Sequence, residues 1–290
     1  MSPDADLPAP AVPPGIYDED YYRTACGGFE VWAPSGGREF SGMYPYVFDA
    51  LDLKPGQTLV DIGTGRGELL AVAAKAGVQA IGIEYSDAAL ALASQTLEAH
   101  GVRDGARVVL ADARSLPVAD GAADAATLLD VVEHLTPAEL DSALSEARRI
   151  LKPGGRLYIH TFPNRTVYNV TYRLQRLVVP TRLRRWPADP RGELERAMHV
   201  NEQTVTSLRR ALRRHFDDVR VWLGDWIYTD HVPSRRAHAA YYRLARLPAP
   251  FNRLGKGNIW ADASKRLSHN PPHTSGGGGS ARMLRPRKPQ

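Results

Sequence analysis

Five short apolar runs separated by helical segments constrain this chain more than any other feature. TLVDIG (58–63), AIGIEY (80–85), RVVLAD (107–112), DAATLLD (124–130) and RLYIHT (156–161) have the composition of strands buried on both faces. Helix signals lie between them. One helix is expected over 66–75, stopped by Gly77. A second is capped by Ser86 or Asp87 and runs through His100 to Gly101. A third takes Thr136 as its cap and Pro137 as its first residue, ending near Leu151, with KPGG as the following turn. Such alternation predicts an α/β, Rossmann-like doubly wound sheet, with helices covering both faces.

The 290 residues are enough for one large α/β domain with an insertion, or for two small domains. Apolar residues make up 43% and charged residues 24%, as in a water-soluble globular chain. No run approaches the ~20 apolar residues of a membrane-spanning helix. The first residues lack a basic-then-apolar leader, and the lone Cys26 allows no internal disulfide. The expectation is a cytoplasmic protein. Residues 1–15 are expected to be disordered, 16–56 to form an N-terminal cap and 57–264 to form the main domain. Residues 265–290, with their GGGGS, are expected to be a flexible tail.

Gly63-Thr64-Gly65-Arg66-Gly67 closes the first strand and opens the first helix. Ligands of doubly wound sheets bind at the carboxyl ends of strands, where glycines admit a close approach to the backbone. Glu84 ends the second strand, 17 residues past Gly67, where an acid can accept hydrogen bonds from both ribose hydroxyls. Dinucleotides and S-adenosylmethionine share this logic. A dinucleotide needs G-x-G-x-x-G, because its pyrophosphate sits on the helix N-terminus. Here the spacing is G-x-G-x-G, and Asp61 stands two residues before the first glycine. That carboxylate repels a pyrophosphate and suits a cationic amino group. The expected ligand therefore carries a ribose and positive charge but no phosphate.

At these residues the chain resembles the class I S-adenosylmethionine-dependent methyltransferases, over roughly 58–162. VDIGTGRGE, IGIEYS, ADARSLP, LLDVVEHL and LKPGGRLYI resemble the family's five motifs in order. The resemblance implies a seven-stranded sheet of order 3-2-1-4-5-7-6 with the last strand antiparallel, VRVWLG (219–224) and NIWADAS (258–264) being strands six and seven. It implies a cofactor site of Asp61, Gly63, Thr64, Gly65, Gly67, Glu84, Tyr85, Asp112, Ala113 and Asp130, with Glu84 on the ribose and Asp112 on the adenine amine. Tyr17, Tyr21 and Tyr22 are candidates to close over the cofactor or to pack the cap.

The acceptor side is read from the end of strand four. In D-V-V-E-H, Asp130 and Glu133 stand one helical turn apart, with His134 four residues after Asp130. One reading is simply the start of a helix. The other comes from a minority of relatives, in which acid-x-x-Glu-His and a later His hold a divalent cation such as Mg²⁺; His199 in MHVNEQT is the matching position. Asp130 is shorter than the Glu those relatives usually carry. Without a metal, His134 or His199 is the candidate general base, and His160 is read as structural.

Residues 165–185 hold six Arg and no acid. Their apolar residues have helical spacing, with Arg173 and Arg176 beside the stripe as candidate acceptor ligands. This basic helical insertion is placed at about 163–200 and a second insertion at about 230–255. Val205, Leu208, Leu212 and Phe216 predict a further helix. The expected acceptor is a small molecule, anionic or amphipathic, of secondary or cell-envelope metabolism, with peripheral membrane contact as an accompanying possibility. The alternative is metal-assisted O-methylation of RNA or another anionic acceptor, which the Arg excess favours, but nucleic acid is not the first expectation because no separate RNA-binding module or N-P-P-Y motif is present. A non-catalytic cofactor-binding role is disfavoured because Asp61, the glycines, Glu84 and Asp112 are all in place.

Overall fold

The computed structural model describes residues 7–24, 26–174, 189, 191–224 and 256–266. Seven strands form one sheet: β1 Thr58–Ile62, β2 Gln79–Glu84, β3 Ala106–Leu110, β4 Ala123–Leu129, β5 Leu151–Thr161, β6 Asp218–Gly224 and β7 Asn258–Ser264. Their order is β3-β2-β1-β4-β5-β7-β6, and β7 runs antiparallel to both of its neighbours. This is the expected sheet.

Side-chain alternation along the central strands divides the core in two. Val60, Ile62, Leu128, Leu157 and Ile159 pack on one face with α6 (Pro137–Ile150) and the helix Val205–Leu212. Leu59, Ala125, Tyr158 and Trp260 pack on the other with α3 (Met43–Leu51) and α4 (Glu68–Lys75). Strands with both faces covered must be apolar throughout, which is why their sequences read as continuous runs. The helix caps fall where expected. Ser86 Oγ accepts from the Ala89 amide at the start of α5 (Asp87–Ala99), and Thr136 forms a capping box with Glu139.

Three differences from the sequence reading have physical causes. KPGG does not precede β5 but bulges within it: Ala123 pairs with Leu151 and Ala125 with Arg156. The helical spacing after Asn164 is realised at Val167–Tyr172 as a π-helix. Residues 7–15 are not loose. Val12 is buried with Tyr17, Tyr22, Ala89 and Met198, and the Ala11 amide donates to Glu139 Oε1 at 2.9 Å. Two short helices, α1 (Glu19–Thr24) and α2 (Phe29–Ser35), complete the N-terminal cap. Trp32 Nε1 donates to Thr96 Oγ1 at 2.8 Å, tying that cap to α5. The proposed second insertion and the residues of the tail from 267 onward lie outside the described residues.

Gly82 lies on β2 beneath the loop that joins β1 to α4. A Cβ there would stand 2.6 Å from Leu70 Cδ1 and 2.7 Å from Thr64 Cγ2. Gly82→Ala is therefore expected to cost about 1–3 kcal/mol by overpacking. Urea denaturation checks this, and an unchanged midpoint would remove the packing account.

Candidate active site

The carboxyl ends of β1, β2 and β4 open into one cavity of about 800 Å³, lined by Asp61, Gly63, Thr64, Gly65, Glu84, Tyr85, Asp112, Ala113 and Asp130. These are the sequence-expected cofactor residues, with one exception. Gly67 is the cap of α4, and a Cβ on it would sit 3.1–3.2 Å from Ala93, so its work is close helix packing. Gly63 faces Val131 so tightly that any side chain would collide with it.

Asp61 is buried, and its two oxygens accept from Thr64 Oγ1 at 2.8 Å and Thr127 Oγ1 at 2.6 Å. Burial pushes its carboxyl up to about 6 against the pull of those hydroxyls. Glu84 accepts from the Gly65 amide at 2.9 Å, the Tyr85 amide at 2.8 Å and the Ser86 amide at 3.0 Å. Its burial raises its pKa although those amides oppose the shift. The loop amides are thus spent internally: Gly63 and Thr64 donate to Ile83 O, Gly65 to Glu84 and Gly67 to Thr64 O. The glycines were expected to offer these amides to a ligand. They instead give a tight loop whose walls are carboxylates, the reverse of a phosphate cradle. Asp112 is also engaged, with its two oxygens taking Arg114 Nε at 2.9 Å and Nη2 at 2.8 Å.

Glu133, His134 and His199 also line the cavity, and their ligand-type atoms lie within 4.8 Å of one another. His134 and His199 meet edge to face, with ring centroids 4.9 Å apart. Burial holds the His134 imidazole down to about 3, with His199 adding to the effect, and holds His199 down to about 4. Burial raises Glu133 well above the carboxylate range, reinforced by the negative charge of Asp130. Thr161 Oγ1 donates to Glu133 Oε2 at 2.8 Å.

Asp130 does not join this group. It occupies a left-handed backbone conformation (φ 54°), and its Oδ1 lies 2.7 Å from Nδ1 of the buried His160. Burial alone would raise Asp130, but the His160 charge prevails and holds it below the usual carboxylate range. Asn258 Oδ1 is 2.9 Å from His160 Nε2, and Trp260 stacks against the ring at 4.3 Å. His160, read from sequence as structural, is thus the partner that takes Asp130 away from the histidine pair.

Arg173 is exposed and is not among the described residues lining the cavity, and Arg176 lies outside the described residues. Sequence reasoning missed Arg66, Arg114, Met198, Asn258 and the N-terminal Pro10 and Val12, all in the cavity wall. Arg66, Arg114, Met198 and Asn258 stand inside VDIGTGRGE, ADARSLP, MHVNEQT and NIWADAS, whereas no motif marks Pro10 or Val12. Tyr17, Tyr21 and Tyr22 line the cavity and also pack in the N-terminal cap.

The sheet order, the glycine loop and the acids at the strand tips define a methyltransferase domain of the class I, S-adenosylmethionine-dependent type. Residues 60–159 match the family described as methyltransferase domain. The chain is similar to a demethylmenaquinone methyltransferase of Thermus thermophilus, 37% identical over 116 residues that cover 39% of this chain and 50% of that protein. It is also similar to the methyltransferase GfsG of Streptomyces halstedii, 32% identical over 118 residues that cover 40% and 42%. The matched region spans half or less of the length of these curated relatives. The fold is shared with geranyl diphosphate C-methyltransferase of Streptomyces coelicolor A3(2), solved with Mg²⁺, geranyl diphosphate and S-adenosyl-L-homocysteine: TM-score 0.52, 18% identity, covering 77% of this chain and 76% of that one. No helix among the described residues is long and apolar enough to cross a membrane.

The depressed histidines give a pH test. The folded value of His199 lies below the ordinary imidazole value of 6.5, so the unfolded chain takes up the proton first. Stability is intact above about pH 6.5 and falls as the pH drops towards 4. From pH 7 to 5 the His199→Gln variant is expected to lose roughly 2 kcal/mol less than the wild type in denaturant titrations. Equal losses would show that His199 is not buried in its neutral form.

Proposed function

We propose that this chain transfers a methyl group from S-adenosylmethionine to a small molecule with an apolar body and an oxygen, nitrogen or carbon nucleophile. The observation that carries the reading is the charge of the cavity. Asp61, Glu84, Asp112 and Asp130 line it beside a loop whose Gly63, Thr64, Gly65 and Gly67 amides already have acceptors. Such a wall favours a cationic sulfonium nucleoside and disfavours a diphosphate. The donor residues fit: Glu84 stands at the β2 tip for the ribose, and Asp112 and Ala113 lie past the β3 tip for the adenine.

The bound sulfonium nucleoside supplies an activated methyl group, so the chain's part is to position the acceptor and exclude water. Tyr17, Tyr21 and Tyr22 close the wall on the N-terminal side, and Leu194 and Met198 on the other. Leu135, Phe162, Leu194 and Met198 give the acceptor end an apolar lining. That lining, with the similarity to a demethylmenaquinone methyltransferase, supports an amphipathic acceptor of secondary or cell-envelope metabolism over a highly polar one. Asp130, braced by His160, is a weak base, and so are two imidazoles with values of about 3 and 4. An acceptor that already carries a lone pair or an ionised oxygen suits this site best.

The cluster of Glu133, His134 and His199 favours a second reading for acceptors that must be deprotonated. Both imidazoles are neutral at pH 7, the form that ligates metal. Two nitrogens and one carboxylate suit a borderline ion such as Mn²⁺, Fe²⁺ or Zn²⁺ better than Mg²⁺. A cation held there would lower the pKa of an acceptor hydroxyl.

Glu84→Gln places an amide where the Gly65 N–H points and is expected to weaken calorimetric S-adenosylhomocysteine binding at least tenfold. Unchanged affinity would refute the ribose assignment. For the metal reading, dialysis against EDTA should abolish labelled methyl transfer and Mn²⁺ should restore it better than Mg²⁺. Full activity in EDTA would remove that reading.

A further inference from the structure

The Arg-rich run at 165–185 suggests an anionic acceptor, yet the cavity wall carries the opposite charge. Among the described residues lining it, nine are Asp or Glu, two are Arg and none is Lys. Both Arg are already paired, Arg66 with Glu68 at 2.8 Å and Arg114 with Asp112 at 2.8 Å and Glu139 at 3.3 Å. Several of the acids are likewise engaged: Asp61 by two hydroxyls, Glu84 by three amides and Glu133 by Thr161.

Asp130 differs from these acids. It lines the cavity with 36% of its side chain exposed. Its backbone N–H donates to His160 O at 3.0 Å, and its Oδ1 faces His160 Nδ1 at 2.7 Å. The other ring nitrogen of His160 faces Asn258 Oδ1 at 2.9 Å. Both nitrogens meet oxygens, and a ring that donates at both is a cation. Burial opposes that charge, but Asp130 and Asn258 outweigh it. The positive end of the pair is sealed in the sheet, with 1% of the His160 side chain exposed, and the negative end is open to the cavity. Aromatic rings surround the same place. Tyr17 meets Tyr21 edge to face at 5.2 Å and His134 at 5.7 Å, and Tyr21 meets Tyr22 at 5.0 Å. Neutral phenol rings beside a carboxylate are favourable surroundings for an alkylammonium.

We propose that the methyl acceptor is an amine, held as its ammonium by Asp130 among the tyrosine rings, so that the chain is an N-methyltransferase. The proposal rests on the methyl-transfer reading above. The ammonium gives one proton to solvent, and the freed lone pair forms the N–C bond as the C–S bond breaks. The electron pair of the broken bond stays on sulfur, and the methylated nitrogen is left as an ammonium, again a partner for Asp130.

Calorimetry on the chain saturated with S-adenosylhomocysteine tests this with three probes that share one ring: benzylamine, benzyl alcohol and benzoate, near neutral pH. Benzylamine, charged under these conditions, is expected to bind about tenfold tighter than benzyl alcohol, with benzoate the weakest. Asp130→Asn should abolish that preference while leaving the affinities for S-adenosylhomocysteine and benzyl alcohol unchanged. Equal binding of benzylamine and benzyl alcohol, tighter binding of benzoate, or a preference that survives in Asp130→Asn overturns the proposal. Weaker S-adenosylhomocysteine binding by the folded variant overturns it too, because Asp130 would then serve the donor. Should circular dichroism show that the variant does not fold, the order of the three probes on the wild type decides. A wild type that binds S-adenosylhomocysteine but none of the probes overturns the proposal alone, whereas one that does not bind the nucleoside removes the methyl-transfer reading and the proposal with it.

Discussion

The pair of hydroxyls on Asp61 is the contact from which the site is built. Thr64 comes from the glycine loop and Thr127 from β4, so one buried carboxylate clasps the loop to the neighbouring strand. Glu84 does the same from the other side, gathering the Gly65, Tyr85 and Ser86 amides. Both acids are raised by burial, so both need these donors to remain anionic. Their charge then faces the cavity as a fixed field, with no reorganisation when a cation arrives.

A second consequence is the division of labour among the acids of β4 and the turn after it. Asp130 and Glu133 are neighbours that cannot both be freely ionised in a buried site. The structure resolves the conflict by giving Asp130 a cationic partner in His160 and leaving Glu133 raised. The left-handed backbone at Asp130 turns its side chain towards β5 and away from His134 and His199. The cluster that remains is richer in nitrogen than the motif suggests.

Five strand positions were legible in the sequence because strands buried on both faces leave continuous apolar runs, while the sheet order came only with the resemblance of the motifs. The loop residues were legible because Gly63 and Gly65 occupy positive φ and Gly82 has no room for a side chain. What escaped was long-range. Nothing near His160 announces that Asn258 and Asp130 will brace it, since Asn258 is 98 positions away. Val12 lies in a Pro- and Ala-rich stretch whose composition reads as disorder, yet its burial depends on Met198 far along the chain. Arg66 carries no signal of its own between two glycines, and Arg173 belongs to an Arg-rich run that suggests a binding surface although its own side chain is exposed.

The meeting of Val12, Tyr17, Tyr22 and Met198 over the cavity has a kinetic consequence. Two segments distant in sequence line the cavity here and share one apolar seam. Lifting either flap bares the edge of the other, so a ligand that settles one flap also steadies its neighbour. Anything that orders one of these segments therefore bears on the other through apolar surface rather than through a shared polar contact.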